Sequence, residues 1–323
     1  MIADRDELGA HLSIAGGLHR ALERGRDLRC GAVQIFLKNH RQWAAKPLAA
    51  AEVRAFRAAR RTAGVRHLFA HASYLINLAA PAPAAWAQAV VAFADELERA
   101  ERLGLAFVVI HPGSPLEDDR AAGLQRVTAA LDEVIHRTAG YRVKVALENT
   151  AGAGYTLGRT FDELRLLSER AARPERVGIC IDTCHLFAAG YDIRSAAGYA
   201  RTMAELESTV GASRVLAFHL NDASAPLGSG LDRHQHIGRG RLGRRPFRLL
   251  LADPRFRRVP KVLETPKEPD PIADRANLRV LRALRTNATS SRPPAGRGRA
   301  PGTSSSAARS ACTRSVRSSR GGR

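Results

Sequence analysis

The sequence predicts a single closed (β/α)8 barrel, and three observations lead there. Short apolar runs rich in β-branched residues recur along the chain, the signature of parallel strands buried on both faces. Eight of them, separated by helical segments, fit before residue 285 of the 323-residue chain, close to the about 250 residues an eightfold barrel occupies. Strand after strand ends in His, Asp or Glu, most plainly at Val177–His185, V-G-I-C-I-D-T-C-H. A carboxylate at a strand end and an imidazole three residues later are two metal-ligand types brought to one place.

Taken in order, Leu8–Leu12 is a short strand, followed by S-I-A-G-G and a helix from about Leu18. Ala32–Leu37 is the second strand, leading into the polar loop K-N-H-R-Q-W, and Ala49–Ala63 is an amphipathic helix. His67–His71 is the third strand, ahead of a long helix, Ala84–Leu103. Ala106–His111 is the fourth, stopped by Pro112-Gly113, which cannot extend a strand. A helix over Ala121–Thr138 precedes the fifth strand, Val143–Glu148, and a helix over Phe161–Arg170 precedes the sixth, Val177–Ile181. Ala196–Val210 is helical, Val215–Leu220 is the seventh strand, and a helix begins at Pro246–Leu251. Lys261–Glu264 is the eighth strand, and Ile272–Leu284 is the closing helix. Residues 1–285 form the barrel domain.

From residue 286 the composition shifts to Ser, Arg, Gly, Ala and Pro. Such a segment buries too little apolar surface to fold, so 286–323 is expected to be a disordered basic tail. It holds eight of the arginines and no acid, so the formal net charge of +20 falls to +12 on the barrel. That charge still favours a polyanionic partner over a small neutral substrate. No run reaches the roughly 18 apolar residues of a membrane span. The charged start M-I-A-D-R-D-E lacks the apolar core of a secretory signal, so a cytoplasmic protein is expected, with no membrane partner. Cys30, Cys180, Cys184 and Cys312 form no C-x-x-C pair, and Cys180 and Cys184 read as small core hydrophobes.

In a (β/α)8 barrel, the site lies at the C-terminal ends of the strands. Six successive strands deliver His71, His111, Glu148, Asp182, His219 and Glu264 to that face, and His185, Asp232 and His234 follow in the loops. In D-R-H, Asp232 and His234 are two apart, which on an extended segment puts them on one side. Five imidazoles and four carboxylates suffice for about three ions. Nitrogen and oxygen donors without thiolate suit zinc, with manganese or iron admissible at some positions. His11 is a candidate supporting group behind these ligands. His19, His40, His67 and His136 read as surface or helix-packing residues, while His236 is left open.

The motifs H-A-S-Y-L-I-N-L (71–78), H-P-G-S (111–114), A-L-E-N-T-A-G (146–152), C-I-D-T-C-H (180–185), H-L-N-D (219–222), D-R-H (232–234) and L-E-T (263–265) resemble, in order, those of endonuclease IV. These are bacterial apurinic/apyrimidinic endonucleases of base-excision repair, and the likeness runs from about Leu8 to Leu284. It implies a zinc-dependent hydrolase that cuts duplex DNA 5′ to abasic sites to leave a 3′-OH, that trims blocked 3′ ends, and that acts as a monomer. By position, His71, His111 and Glu148 would hold one zinc. Glu148, as a bridge, would hold a second with Asp182, His219 and Glu264, and His185, Asp232 and His234 the third. Arg41, Tyr74 and Leu75 match residues that enter the minor groove at the lesion. After H-L-N-D the family commonly has a small residue and then Lys, whereas here Ala223 precedes Ser224. The alternative is a metal-dependent sugar isomerase or epimerase on the same barrel. The D-R-H ligands and the basic charge argue against it.

Overall fold

The computed structural model describes residues 6–116, 119–268 and 271–290. The low-complexity segment beyond residue 290 lies outside them. In chain order the elements are β1 (Leu8–His11), α1 (Leu18–Asp27), β2 (Ala32–Phe36), α2 (Ala50–Ala63), β3 (His67–His71), α3 (Pro83–Leu103), β4 (Phe107–Ile110), α4 (Arg120–Arg137), β5 (Lys144–Glu148) and α5 (Phe161–Arg170). There follow β6 (Val177–Asp182), α6 (Thr183–Ala189), α7 (Ala196–Thr209), β7 (Val215–His219), β8 (Asp222–Ala223), β9 (His234–Gln235), α8 (Arg245–Ala252), β10 (Lys261–Leu263) and α9 (Ile272–Ser290).

The eight strands β1 to β7 and β10 close into one parallel barrel, with β10 joining β7 to β1. This is the fold class predicted from the sequence. The interior is a small cluster of Ala32, Phe69, Phe107, Val109, Ala146, Cys180, Ala217 and Val262. The larger apolar layer lies between strands and helices, with Phe56, Phe93, Phe161 and Phe247 fully buried in it. Side chains alternate along a strand, so the residue two beyond an inward-pointing one also points inward, one layer higher. Phe69, Val109, Ala146, Cys180, Ala217 and Val262 are followed at that spacing by His71, His111, Glu148, Asp182, His219 and Glu264. The polar layer at the mouth therefore continues the apolar layers beneath it.

Three local features differ from the sequence expectation. The run into T-C-H is no plain turn: β6 passes directly into α6, a fully buried short helix whose Asp182 cap accepts from the His185 N–H at 2.9 Å. Between β7 and α8, where no strand was expected, β8 and β9 form an antiparallel ribbon pairing Ala223 with His234. And α9 extends past Leu284 to Ser290. Among the described residues, no helix is long and apolar enough to cross a membrane.

Candidate metal centre

The nine sequence-selected residues meet at the C-terminal mouth of the barrel. Their ligand atoms form three groups, each with all atoms within 4.8 Å of one another. One group is His71, His111 and Glu148; another is Glu148, Asp182, His219 and Glu264; the third is His185, Asp232 and His234. Glu148 belongs to two of them, and its carboxylate is fully buried. Its Oε2 lies 3.1 Å from His71 Nε2 and 2.9 Å from His111 Nε2, while Oε1 lies 2.7 Å from His219 Nδ1. A register shift in the pairing of β6 with β7 sets Asp182 opposite His219.

Hydrogen bonds on the outer side of the rings decide which nitrogen faces inward. His71 Nδ1 donates to the Ala72 carbonyl at 2.7 Å, His185 Nδ1 to that of Asn149 at 2.8 Å, and His234 Nδ1 to that of Glu264 at 3.0 Å. A carbonyl can only accept, so each Nδ1 keeps its hydrogen, and it is Nε2 that offers a lone pair once the ring is neutral. His219 is held the other way round: Nε2 donates to Gln34 Oε1 at 2.8 Å, and Nδ1 faces the carboxylates. Such outer partners fix tautomer and ring orientation in metal sites. His234 Nε2 is buried and makes no hydrogen bond, although Asp232 Oδ1 is 3.1 Å and Asp182 Oδ2 3.5 Å away. Four carboxylates around five imidazoles, with Glu148, Asp182, His185 and His219 buried, need cations to balance them. The donor set thus fits zinc in charge, softness and open valence.

The electrostatics follow from this crowding. Burial would raise the Glu148 pKa, yet His219 and His111 hold it well below the carboxylate range. Burial would lower that of His185, but Asp182 and the hydrogen-bonded Asp232 push it up to about 10. His234 rises to about 9 despite burial, through the same two carboxylates. Both rings bind a cation avidly, and a metal would take the place of the proton.

Several supporting residues carried no sequence signal. Asn221, fully buried, donates to Asp182 Oδ2 at 2.6 Å and accepts from the Glu264 N–H at 2.9 Å, so it holds two ligands at once. Asn149 Oδ1 accepts from the Asp182 N–H at 2.6 Å. Gln34 donates to Glu264 Oε1 at 2.5 Å, and His11 Nδ1 lies 3.0 Å from the same oxygen. That places His11 behind the ligands, as its strand-end position suggested. Cys180 lies in reach of Glu148 and His219, and Cys184 in reach of Asp182 and His234. Burial pushes both thiols up, Cys180 to about 12, which suits the reading of them as core residues.

Asp222, the last residue of H-L-N-D, is fully buried and accepts from the N–H groups of Ala223, Gly238, Gly240 and Leu242 at 2.8 to 3.0 Å. It thereby folds residues 238–242 against the ribbon that carries His234. A Cβ at Gly240 would press into the Asp222 carboxylate and the Ala223 carbonyl. Gly240→Ala should cost about 1–3 kcal/mol of stability, read as a lowered Tm.

Arg41 is exposed in the loop after β2, Tyr74 is 61% exposed in the loop after β3, and Leu75 is half-buried beside it. Ser73 Oγ donates to the His40 carbonyl at 2.6 Å and ties the two loops together. His40 is a partly exposed loop residue, in keeping with the surface reading, and its ring lies between Phe36 and Tyr74, at 4.8 and 5.4 Å between centroids. The ligands sit between two cavities. One of about 290 Å³ is lined by His71, Tyr74 and His111, and one of about 730 Å³ by His11, His40 and Glu264. Ser224 carries no charge, but Arg241 Nε donates to its carbonyl at 2.9 Å.

Fold and site together define a metal-dependent barrel enzyme, and comparison with known proteins agrees. Residues 22–284 match the model of the xylose isomerase-like TIM barrel family. Over 279 residues the chain is 47% identical to the probable endonuclease 4 of Trichlorobacter lovleyi, covering 86% of this chain and 99% of that protein. The crystal structure of endonuclease IV from Thermus thermophilus superposes with a TM-score of 0.78 at 40% identity, over 87% of this chain and 99% of that one. A D-tagatose 3-epimerase-like protein has a TM-score of 0.69 at 19% identity, over 88% and 98% of the two chains; it shares the fold. Within the barrel class, the chain belongs to the endonuclease 4 family of DNA-cleaving hydrolases.

Proposed function

We propose that the chain hydrolyses the phosphodiester 5′ to an abasic site in duplex DNA, leaving a 3′-OH, and trims blocked 3′ ends at the same site with three zinc ions. The observation that carries this reading is the set of three ligand groups at the barrel mouth, two of them joined through Glu148. In the first group His71, His111 and Glu148 would hold zinc; in the second Glu148, Asp182, His219 and Glu264; in the third His185, Asp232 and His234. Bound there, zinc supplies Lewis acidity that brings the pKa of water down to about 7 and stabilises charge building on a phosphoryl group.

The protein's own residues do the rest. Ala72, Asn149, Gln34 and the Glu264 carbonyl orient the imidazoles before substrate arrives, so little reorganisation accompanies the reaction. Glu148 fixes the spacing of the first two ligand groups, one oxygen towards each. Tyr74 and Leu75 offer an aromatic and apolar wedge where stacking is lost, and Arg41 a cation for the backbone. A missing base already lowers the cost of extruding the sugar, which favours abasic sites over intact DNA.

Incision of a duplex carrying one abasic analogue tests the reading, with an intact duplex as control. Cleavage 5′ to the lesion should vanish after prolonged chelation and return when zinc is added back. Binding that persists without cleavage in restored metal would point instead to structural ions in a DNA-binding protein. Loss of both would turn attention to sugar isomerisation.

A further inference from the structure

Residues 233–245 hold Arg233, Arg239, Arg241, Arg244 and Arg245, and no Asp or Glu. All five side chains are exposed, and among the described residues none is paired with a carboxylate. Several other arginines of the barrel are paired: Arg20 meets Glu23, Arg99 meets Asp95, Arg120 meets Glu163, Arg194 meets Asp192, Arg255 meets Asp253 and Arg282 meets Asp6. Unpaired cations packed this densely repel one another and attract a polyanion.

Arg241 is the best placed of the five. Its backbone N–H donates to the Ala223 carbonyl at 2.7 Å, and its Nε donates to the Ser224 carbonyl at 2.9 Å. The stem and one donor are thus fixed, leaving the two terminal amines as a fork of the kind that grips phosphate oxygens. The loop beneath is held by the buried Asp222 carboxylate through Gly238, Gly240 and Leu242. Ala223 pairs with His234, so Arg241 stands two strand spacings, roughly 10 Å, from a residue of the metal centre.

We propose that Arg241 forms a phosphate-binding subsite that grips the DNA backbone beside the metal centre. This rests on the reading of the protein as a DNA-cleaving enzyme. The test is the salt dependence of binding by the zinc-loaded full chain to a labelled intact duplex, followed by fluorescence anisotropy between about 50 and 200 mM salt. Removing one phosphate contact flattens the slope of log K against log salt by about 0.9. Arg241→Gln should show that change, with about eightfold weaker binding near 0.1 M salt, the factor that this slope gives for lines converging near 1 M. Arg241→Lys should keep the wild-type slope while losing part of the affinity, because it retains the charge but not the fork. Ser224→Glu, an exposed substitution beside the guanidinium, should flatten the slope as Arg241→Gln does and guards against misfolding of the latter. A wild-type slope in both Arg241→Gln and Ser224→Glu, or weaker binding at unchanged slope, overturns the subsite while leaving the enzyme's function intact. Wild-type protein that neither binds nor incises duplex DNA overturns the functional reading, and the subsite with it.

Discussion

Glu148→Gln is expected to reduce incision of abasic duplex by at least about a thousandfold, a barrier increase of about 4 kcal/mol. The side chain is fully buried and is the one residue shared by the first two ligand groups. Glutamine preserves its volume but exchanges a carboxylate oxygen for an amide nitrogen, which donates instead of accepting. Whichever way the amide turns, one side loses its donor atom: the His71 and His111 side at 3.1 and 2.9 Å, or the His219 side at 2.7 Å. The lost charge also weakens attraction for two cations together. Bound zinc should fall from about three ions per chain to about one, held by the group that Glu148 does not enter. Product analysis and metal content by mass spectrometry check the two outcomes. Full incision by a folded Glu148→Gln protein would remove Glu148 from the centre.

The second large effect is expected at a residue that contributes no ligand. Asn221→Ala should lower zinc affinity and incision by about 10–100-fold, the range for residues that orient metal ligands. Its amide donates to Asp182 Oδ2 at 2.6 Å and accepts from the Glu264 backbone at 2.9 Å, and its own N–H donates to Thr183 Oγ1 at 2.9 Å. Alanine leaves the Asp182 carboxylate short of a donor and the Glu264 N–H short of an acceptor, both in a water-poor site. Each buried group left unpaired costs about 1–3 kcal/mol. Thermal melts with excess zinc and with chelator separate metal loss from fold destabilisation. Asn221→Asp should fare no better, since it loses the donor and sets a third carboxylate beside Asp182 and Glu264. An Asn221→Ala protein with wild-type zinc affinity would show that the ligands hold themselves in place.

Much of the centre was legible before folding because strand geometry has a fixed period. F-A-H, V-I-H, A-L-E, C-I-D, A-F-H and V-L-E each place an inward core residue two positions before a ligand type. Six repeats of that step down a chain of alternating strands and helices predict the barrel and its polar mouth together. D-R-H was readable for the same reason: two residues of an extended segment share a side. The ring contacts of His40 were not legible, because Phe36 and Tyr74 come together around it only when two loops meet.

The sequence by itself therefore determined the barrel, the face that bears the site and the nine residues that meet there, all consequences of local periodicity. Tertiary structure alone decided which nitrogen of His71, His185, His219 and His234 faces the centre, and which amides and carbonyls keep it there. It also decided that Asp222 folds the arginine-bearing loop against the ribbon of His234. The physical reason is separation along the chain. Gln34 and Glu264 meet across 230 residues, and Asn221 reaches Asp182 across 39. Hydrogen bonds of that span leave no period in the sequence; closing the barrel creates them.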